Sequence, residues 1–197
     1  MPAEQGSHLI DALKRVAAIL RDGDVEFALG GGLAAWARGG PPTEHDVDLV
    51  LCESDADPAL RLLDEQELPT ERPPEGWLVK TWIDGVLVDL IYRPAGLTID
   101  HDYLSSCDEM SVAAVRMRVM PVQDIFVTKL LALTEHDLDF ESLLVHARSL
   151  REQIDWSRLA IRVRSSPFAR AFLTLAHDLD IASSGGDELG PGLRSTA

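Results

Sequence analysis

The chain has 197 residues, of which 46% are hydrophobic and 26% charged, and this profile is typical of a soluble globular protein. No apolar run approaches the roughly 18 residues of a membrane span, and the N-terminus lacks the regions of a signal peptide. Cys52 and Cys107 match no metal-binding spacing. We therefore predict a cytoplasmic protein with reduced cysteines and no membrane partner. The net charge of −15, taken alone, argues against a nucleic-acid partner, because phosphate binding depends mainly on Lys and Arg.

Hydrophobic periodicity in the first half of the chain predicts alternating helices and strands. In chain order we expect a helix, a strand, a short helix, a strand and a helix over 8–21, 25–30, 33–38, 46–51 and 58–66. Two β-rich runs within 76–94 flank Asp84-Gly85, a dipeptide that favours a type I′ hairpin.

The second half begins with one more strand and then becomes helical. A strand is predicted over 110–121, with Arg116 and Arg118 alternating outward, and the later periodicity predicts helices over 122–134, 138–149, 155–163 and 167–181. Because strands precede helices, the layout is α+β. We predict a core domain over 1–120, a C-terminal helical region over 121–183 and a flexible tail over 184–197, which has no core-forming residues.

Two carboxylates interrupt the apolar strand over 46–51. Side chains alternate between the faces of a strand, so Asp46 and Asp48 lie on one face, roughly 7 Å apart at Cα, while Val47, Leu49 and Leu51 face the core. Neighbouring carboxylates repel each other unless a cation lies between them. Closely spaced carboxylate oxygens suit Mg²⁺, whose water ligands phosphate oxygens can replace.

Asp89 and a glycine cluster extend this pattern. Asp89 is the one acid in the apolar run VLVDLIY, and three carboxylates on adjacent strands could hold two metal ions for phosphoryl transfer. Gly30, Gly31 and Gly32 lie where a strand turns into a helix, and backbone amides there can approach phosphate oxygens. The combination predicts a metal-assisted site that binds phosphate groups.

The order of these motifs resembles that of the polymerase-β-like nucleotidyltransferase superfamily. The matching residues are Gly31-Gly32 (or Gly30-Gly31), Asp46-Val47-Asp48 and Asp89, within a region of about residues 24 to 92. The resemblance implies a minimal nucleotidyltransferase fold, in which helices flank a mixed sheet and a helical bundle follows. It also implies that, with Mg²⁺ or Mn²⁺, a substrate hydroxyl attacks the α-phosphate of a nucleoside triphosphate and releases pyrophosphate.

Within the superfamily, the chain most resembles the compact bacterial toxins of the AbiEii and MenT type. The stretches TEHDVDL and KLLALTEHDLDFESLL carry this likeness. It implies that Lys129 contacts the nucleotide phosphates, that Asp137 helps to position Lys129 or the base, and that pyrimidine nucleotides are added to the 3′ end of tRNA. Such toxins block translation and are neutralised by a cognate antitoxin. The sequence departs from the family pattern at one position. Many relatives carry Ser or Thr two residues before the first Asp, but here that residue is Glu44, and Thr43 lies one residue earlier.

Other polar and aromatic residues favour ordinary structural roles. We interpret His45 as pointing away from the acids, Asp139 as a helix N-cap, and both Trp77 and Trp82 as core residues.

The charge distribution is compatible with more than one molecule as the acceptor of the nucleotide. Residues 148–170 contain six arginines and two acids, so this segment carries +4 and the remainder −19. One possibility is that this segment contacts the phosphates of tRNA. Its candidate residues are then Arg148, Arg151, Arg158, Arg162 and Arg164, and the preceding strand adds Arg116 and Arg118. Alternatively it is a solvated face, and the acidic chain modifies a small antibiotic of the lincosamide or aminoglycoside class. A third possibility is a nucleotide-binding or scaffold protein without activity.

Overall fold

The computed structural model describes residues 3–43 and 46–182. The helices over these ranges are α1 (Ala3–Asp22), α2 (Gly31–Ala37), α3 (Ala56–Glu65), α4 (His101–Ser106), α5 (Val122–Ala132), α6 (Phe140–Leu150), α7 (Trp156–Val163) and α8 (Pro167–Asp178). The strands are β1 (Phe27–Leu29), β2 (Asp46–Leu51), β3 (Thr70–Glu71), β4 (Leu78–Ile83), β5 (Val86–Ile91), β6 (Asp108–Val112) and β7 (Val115–Val119). The predicted tail over 184–197 and His45 lie outside the described residues.

The strands form one mixed sheet in the order β3-β4-β5-β2-β1-β7-β6. Strand β2 runs parallel to β5, and β1 runs parallel to β7, while the other neighbouring pairs are antiparallel. With helices flanking this sheet and four helices following it, the structure confirms the predicted α+β class and mixed sheet.

The β4–β5 hairpin forms where its turn sequence predicts it. Asp84 and Gly85 have φ values of 52° and 83°, and Ile83 pairs with Val86 across the turn. Positive φ at both central residues is the signature of a type I′ turn.

The prediction of a single strand over 110–121 is wrong. The chain instead forms a second hairpin, β6–β7, whose central residues Ala113 and Ala114 both have positive φ (47° and 68°). Alanine rarely adopts this conformation, so the sequence gives no turn signal there. The prediction also lacks the short helix α4 and the two-residue strand β3.

Buried apolar residues form two clusters. One lies between the sheet and helices α1 and α3 and includes Leu13, Leu20, Leu49 and Leu63. The other joins α5 through α8, and α2 contributes Ala35 to it. The boundary between these clusters falls near residue 121, although the division into domains over 1–120 and 121–183 stays a prediction. Within the part of the chain that the structure describes, no helix has the length and apolar character to cross a bilayer.

The outermost strands of the sheet are short or charged. At one end lies β3, which has only two residues, and at the other lies β6, which begins with Asp108 and Glu109. Arg38 donates to Asp108 at 2.9 Å, and Arg116 donates to Glu109 at 2.8 Å.

Candidate active site

Strand β2 presents two carboxylates on one face and aliphatic residues on the other. Val47, Leu49 and Leu51 are completely buried, whereas Asp46 and Asp48 are partly exposed. This alternation confirms the predicted shared face of the two acids, and it follows from the period of two along a strand.

The register of the sheet brings Asp89 into the same cluster. Strand β5 lies beside β2, and Asp89 pairs directly with Asp48. Carboxylate oxygens of Asp46, Asp48 and Asp89 all lie within 4.8 Å of one another. The ammonium of Lys80, on β4, lies 3.4 Å from Asp89 Oδ1. Three acids therefore converge on one place, and among the described residues Asp89 alone of the three has a direct ion pair with a cation.

Burial and mutual repulsion make the charged state of these acids costly. Burial, and next the charge of Asp46, raise the pKa of Asp48 to about 7, while Lys129 and a hydrogen bond from the Gly32 backbone oppose the rise. Burial also raises the pKa of Asp89, against the nearby Lys80. The cluster has more negative charge than its neighbours neutralise, which is the condition that a bound cation would relieve.

The glycine turn is shaped by Asp48. Gly31 has φ +55°, and a Cβ atom at this position would lie 1.6 Å from Asp48 Oδ2. The Gly30 amide donates to the Asp48 carbonyl at 2.8 Å. Because the Gly32 amide donates to the Asp48 carboxylate, that amide is already engaged. The glycines thus allow a carboxylate to pack against backbone, a role that sequence reasoning did not assign to them.

A cavity of about 1010 Å³ opens in front of Asp46 and Asp48. Its floor includes the β2 and β5 residues Val50 and Ile91, which share the face of the acids, and the glycine turn. Helices α5 and α6 contribute the opposite wall, including Lys129. The structure therefore brings together Asp46, Asp48, Asp89, Gly30, Gly31, Gly32 and Lys129.

The cavity lining also includes residues that the sequence did not assign to the site, among them Trp77, Thr43 and His146. Trp77 is 41% exposed and lines the cavity, so the prediction that it belongs to the core is wrong. Thr43 lies against Gly32, at 2.7 Å from the position of a Cβ there. His146 is 9% exposed; its Nδ1 lies 2.8 Å from the Ser142 carbonyl, and its Nε2 is buried without a hydrogen-bond partner among the described residues. No local pattern in the sequence distinguishes His146 from any other polar residue of an amphipathic helix.

Asp137 lies apart from the cavity lining. It is exposed in the turn between α5 and α6, where its backbone exchanges two hydrogen bonds with Thr134. Nearby, the Asp139 side chain accepts from the Ser142 amide at 3.0 Å, which confirms its predicted role as a helix cap. A role for Asp137 in nucleotide binding stays a prediction.

The seven arginines predicted to contact RNA do not share one environment. Arg116 and Arg118 are on β7, where they pair with Glu109 and Glu26, and both line a different hollow from the acids. Arg162 forms a 2.5 Å ion pair with the buried Asp124, and Arg151 pairs with its neighbour Glu152. The remaining candidates, all exposed, are Arg148, Arg158 and Arg164.

Comparison with solved structures identifies the fold. The chain resembles the antibiotic-resistance factor ANT(2'')-Ia in its solution structure, with 18% identity and a TM-score of 0.56 over 91% of this chain and 99% of that one. The crystal structure of ANT(2'')-Ia with adenylyl-2''-tobramycin gives 13% identity and a TM-score of 0.54 over 84% and 97% of the two chains. The protein thus has a nucleotidyltransferase fold, as its motif order predicts.

A third likeness is too weak to bear on the acceptor. A tRNA nucleotidyltransferase complexed with a primer tRNA and an ATP analogue gives 14% identity and a TM-score of 0.35, over 84% of this chain and 60% of that one. No family model matches the sequence, and no curated protein matches it.

Proposed function

We propose that the protein is a metal-dependent nucleotidyltransferase, which transfers a nucleoside monophosphate from a nucleoside triphosphate to a hydroxyl group. The observation that carries this proposal is the convergence of three carboxylates from two adjacent strands, within 4.8 Å of one another, at a large cavity that also contains Lys129. The nucleotidyltransferase fold supports it, and so does the resemblance of these acids and glycines to the motif of that superfamily.

The donor set fits a divalent cation such as Mg²⁺ or Mn²⁺. Asp46, Asp48 and Asp89 supply only oxygen atoms, which hard cations prefer. Burial, and next the charge of Asp46, raise the pKa of Asp48, and a bound cation would offset both effects. When bound, the metal would polarise the phosphate that is attacked and offset the charge that develops there.

The other residues of the cavity would hold the nucleotide. Lys129, half-buried on α5, faces the acids and would contact the triphosphate as a point charge. The amides of Gly30 and Gly32 already donate to Asp48, so within the glycine turn the Gly31 amide would donate to a phosphate oxygen. His146 lines the same cavity, and its buried Nε2 is an acceptor if Nδ1–H donates to the Ser142 carbonyl.

The proposed reaction needs one base. The acceptor oxygen forms a bond to the α-phosphorus, the bond from this phosphorus to the bridging oxygen of pyrophosphate breaks, and the hydroxyl proton leaves. Asp89 is our candidate for this base, because its carboxylate belongs to the same cluster as those of Asp46 and Asp48. Lys80, 3.4 Å away, would hold the carboxylate in place.

A labelled-nucleotide assay tests this function. The protein is incubated with labelled CTP, UTP, ATP or GTP, Mg²⁺ and either total tRNA or an antibiotic panel. Asp46→Asn and Asp48→Asn should each lower transfer by at least about 100-fold, since positioned charges contribute several kcal/mol to such barriers. Asp22→Asn, at an exposed position on α1, is the matched control. Near-normal transfer by both cavity variants would refute the proposal.

A second variant separates nucleotide binding from chemistry. Lys129→Ala should raise the apparent KM for the triphosphate at least about tenfold, as expected when one charged hydrogen bond to phosphate is removed. Lys14→Ala removes an exposed lysine of α1 and should leave KM unchanged. An unchanged KM in Lys129→Ala would remove Lys129 from the nucleotide site.

For the acceptor, our first proposal is the 3′ end of tRNA. The likeness of the Asp46 and Lys129 stretches to AbiEii and MenT toxins supports it, and it brings with it a preference for CTP or UTP and neutralisation by a cognate antitoxin. Exposed Arg148, Arg158 and Arg164 would contact the phosphates.

A small cationic acceptor, such as an aminoglycoside, is the second candidate. Arg116, Arg118 and Arg162 are held in ion pairs with acids, which reduces the cationic surface available for RNA. The net charge of −15 and the three carboxylates would attract amino groups. ANT(2'')-Ia, whose structure contains adenylyl-2''-tobramycin, has the same fold.

Charge reversal distinguishes the two acceptors. If tRNA is the acceptor, Arg148→Glu/Arg158→Glu should weaken its modification and flatten the salt dependence, by about 0.9 log units for each phosphate that the variant no longer neutralises. Lys14→Glu/Arg61→Glu makes an equal charge change on α1 and α3 and is the control. Normal tRNA modification and an unaltered slope in the first variant would exclude this arginine surface. Transfer to an antibiotic, with none to tRNA, would establish the second candidate.

A further inference from the structure

A second group of metal-ligating side chains lies at the end of the sheet away from the carboxylate cluster. Cys52 follows β2 directly, and Glu26 precedes β1; the pairing of Phe27 with Leu51 places the two side by side. Asp55 ends the 3-10 turn that follows β2, and His101 is the first residue of α4. Three separate segments of the chain therefore meet there.

The ligand atoms already lie close together. The Cys52 sulfur, a carboxylate oxygen of Asp55 and a ring nitrogen of His101 are all within 4.8 Å of one another. A tetrahedral zinc site, with bonds of about 2.0–2.3 Å, places its ligand atoms roughly 3.3–3.8 Å apart. The Asp55 carboxylate is partly exposed and the imidazole is 63% exposed, so small adjustments of both side chains can close the difference while Glu26 stays bonded to Nδ1.

Glu26 completes the arrangement by orienting the imidazole. Its Oε2 lies 2.8 Å from His101 Nδ1, and Arg118 holds the other carboxylate oxygen at 2.9 Å. A carboxylate that accepts from one ring nitrogen leaves the other nitrogen as a metal ligand, an arrangement that recurs in zinc sites. The His101 side chain therefore has the support that a ligand needs before any metal binds.

The chemistry of the donors selects the metal. Sulfur, nitrogen and oxygen donors together suit zinc, whereas the all-oxygen cluster of Asp46, Asp48 and Asp89 suits magnesium. The surroundings are acidic, since Asp55, Asp100 and Glu26 all act electrostatically on Cys52. A divalent cation would be attracted to this environment.

We propose that Cys52, Asp55 and His101 form a zinc-binding site, with Glu26 orienting His101 and a water molecule as the fourth ligand. Bound zinc would tie the start of α4 to the end of β2. Helix α4 also connects to α5, because the Tyr103 hydroxyl donates to Asp124 at 3.1 Å. The site would thus be a structural zinc site that links α4 to the end of β2, separate from the proposed transfer chemistry.

Cobalt substitution tests the ligands directly. The full chain, freed of metal with a chelator, is titrated with Co²⁺ and followed by its optical spectrum. Wild type should show a thiolate-to-cobalt charge-transfer band and the intense visible absorption of a tetrahedral ion, both displaced by stoichiometric Zn²⁺. Cys52→Ser should lose the charge-transfer band. Cys107→Ser, which replaces the other buried cysteine, should keep it.

Two further variants test whether zinc binds at these residues or at the carboxylate cluster. His101→Gln, at an exposed position, should weaken zinc binding at least tenfold in competition with a chromophoric chelator. Asp46→Asn/Asp48→Asn should bind zinc as wild type does, because those acids form a different cluster. The proposal is overturned if cobalt binds without the charge-transfer band, if His101→Gln binds as tightly as wild type, or if the carboxylate variant loses the zinc.

Discussion

The Oδ2 atom of Asp48 occupies the space that a side chain at Gly31 would require: an ideal Cβ there would lie only 1.6 Å from it. The backbone of the glycine turn and the carboxylate are therefore in direct contact. A glycine at residue 31 is required both by this contact and by its φ of +55°.

Gly31→Ala should consequently displace Asp48. We expect lower thermal stability and a decrease of nucleotidyl transfer by at least about tenfold, since small displacements of catalytic groups are costly. Gly39→Ala is a matched control, because Gly39 also has positive φ (+94°), but beyond its chain neighbours no atom of the described residues lies within 4 Å of its Cβ position. Equal transfer rates in the two variants would show that the close packing of Gly31 against Asp48 is not needed for activity.

The raised pKa of Asp48 predicts how the metal-free protein responds to pH. Its pKa is about 7, against an ordinary 3.8, so the folded protein holds this proton more tightly than the unfolded chain. This group therefore contributes stability at low pH, and the contribution is lost as the pH rises from about 4 to about 7.

Asp48→Asn should remove that loss. In a chelator at pH 8 the variant should melt at least about 3 °C above wild type, which corresponds to roughly 1 kcal/mol in a chain of this size. At pH 4 the two should melt alike, because Asp48 is protonated in the wild type. Mg²⁺ should raise the melting temperature of wild type at pH 8 more than that of the variant. A lower melting temperature for the variant at pH 8 would contradict the strain inferred for this cluster.

His146 predicts a pH dependence of the opposite sign. Burial lowers the pKa of this imidazole below its usual 6.5, so the unfolded chain takes up the proton first, and stability is lost as the pH falls below about 6.5. His146→Gln keeps a polar side chain but cannot titrate. The difference in melting temperature between this variant and wild type should shift in favour of the variant as the pH is lowered from 7 to 5. His8→Gln, at an exposed position, is the control and should show no such trend.

Arg162 should be important for stability. Its guanidinium lies 2.5 Å from Asp124, whose other oxygen accepts from Tyr103, and both partners of the ion pair are largely buried. Arg162→Ala leaves this carboxylate without its cation and should cost about 2 kcal/mol or more of unfolding free energy. Arg158→Ala, at an exposed position on the same helix, should change stability by less than about 0.5 kcal/mol in urea unfolding. Similar losses of unfolding free energy in both variants would show that the Arg162–Asp124 ion pair does not stabilise the protein more than an exposed arginine does.

Local patterns were sufficient to predict much of the fold and part of the site. Alternation along β2 predicted the shared face of Asp46 and Asp48, and Asp84-Gly85 predicted the β4–β5 turn. These features depend on neighbouring residues, so a short window of sequence contains the information. The β6–β7 turn is not predicted by such a window, because Ala113 and Ala114 both have positive φ, which alanine rarely adopts.

Contacts between distant parts of the chain could not be predicted in the same way. Whether an arginine is free depends on which acid packs beside it, and Asp124 is 38 residues from Arg162 in sequence. Likewise, the cysteine spacing gave no metal signal, because His101 reaches Cys52 only through the fold. His146 was missed since its place in the cavity depends on how α6 packs.

The outer strands of the sheet also affect how copies of the protein meet. An open strand edge carries unpaired amides and carbonyls, which can recruit a strand from another molecule and begin aggregation. Here one edge has only the two residues of β3, and the other begins with Asp108 and Glu109. Neither provides a long uncharged template, and the net charge of −15 adds repulsion between copies. The sheet is therefore poorly suited to intermolecular strand pairing, even in a concentrated solution.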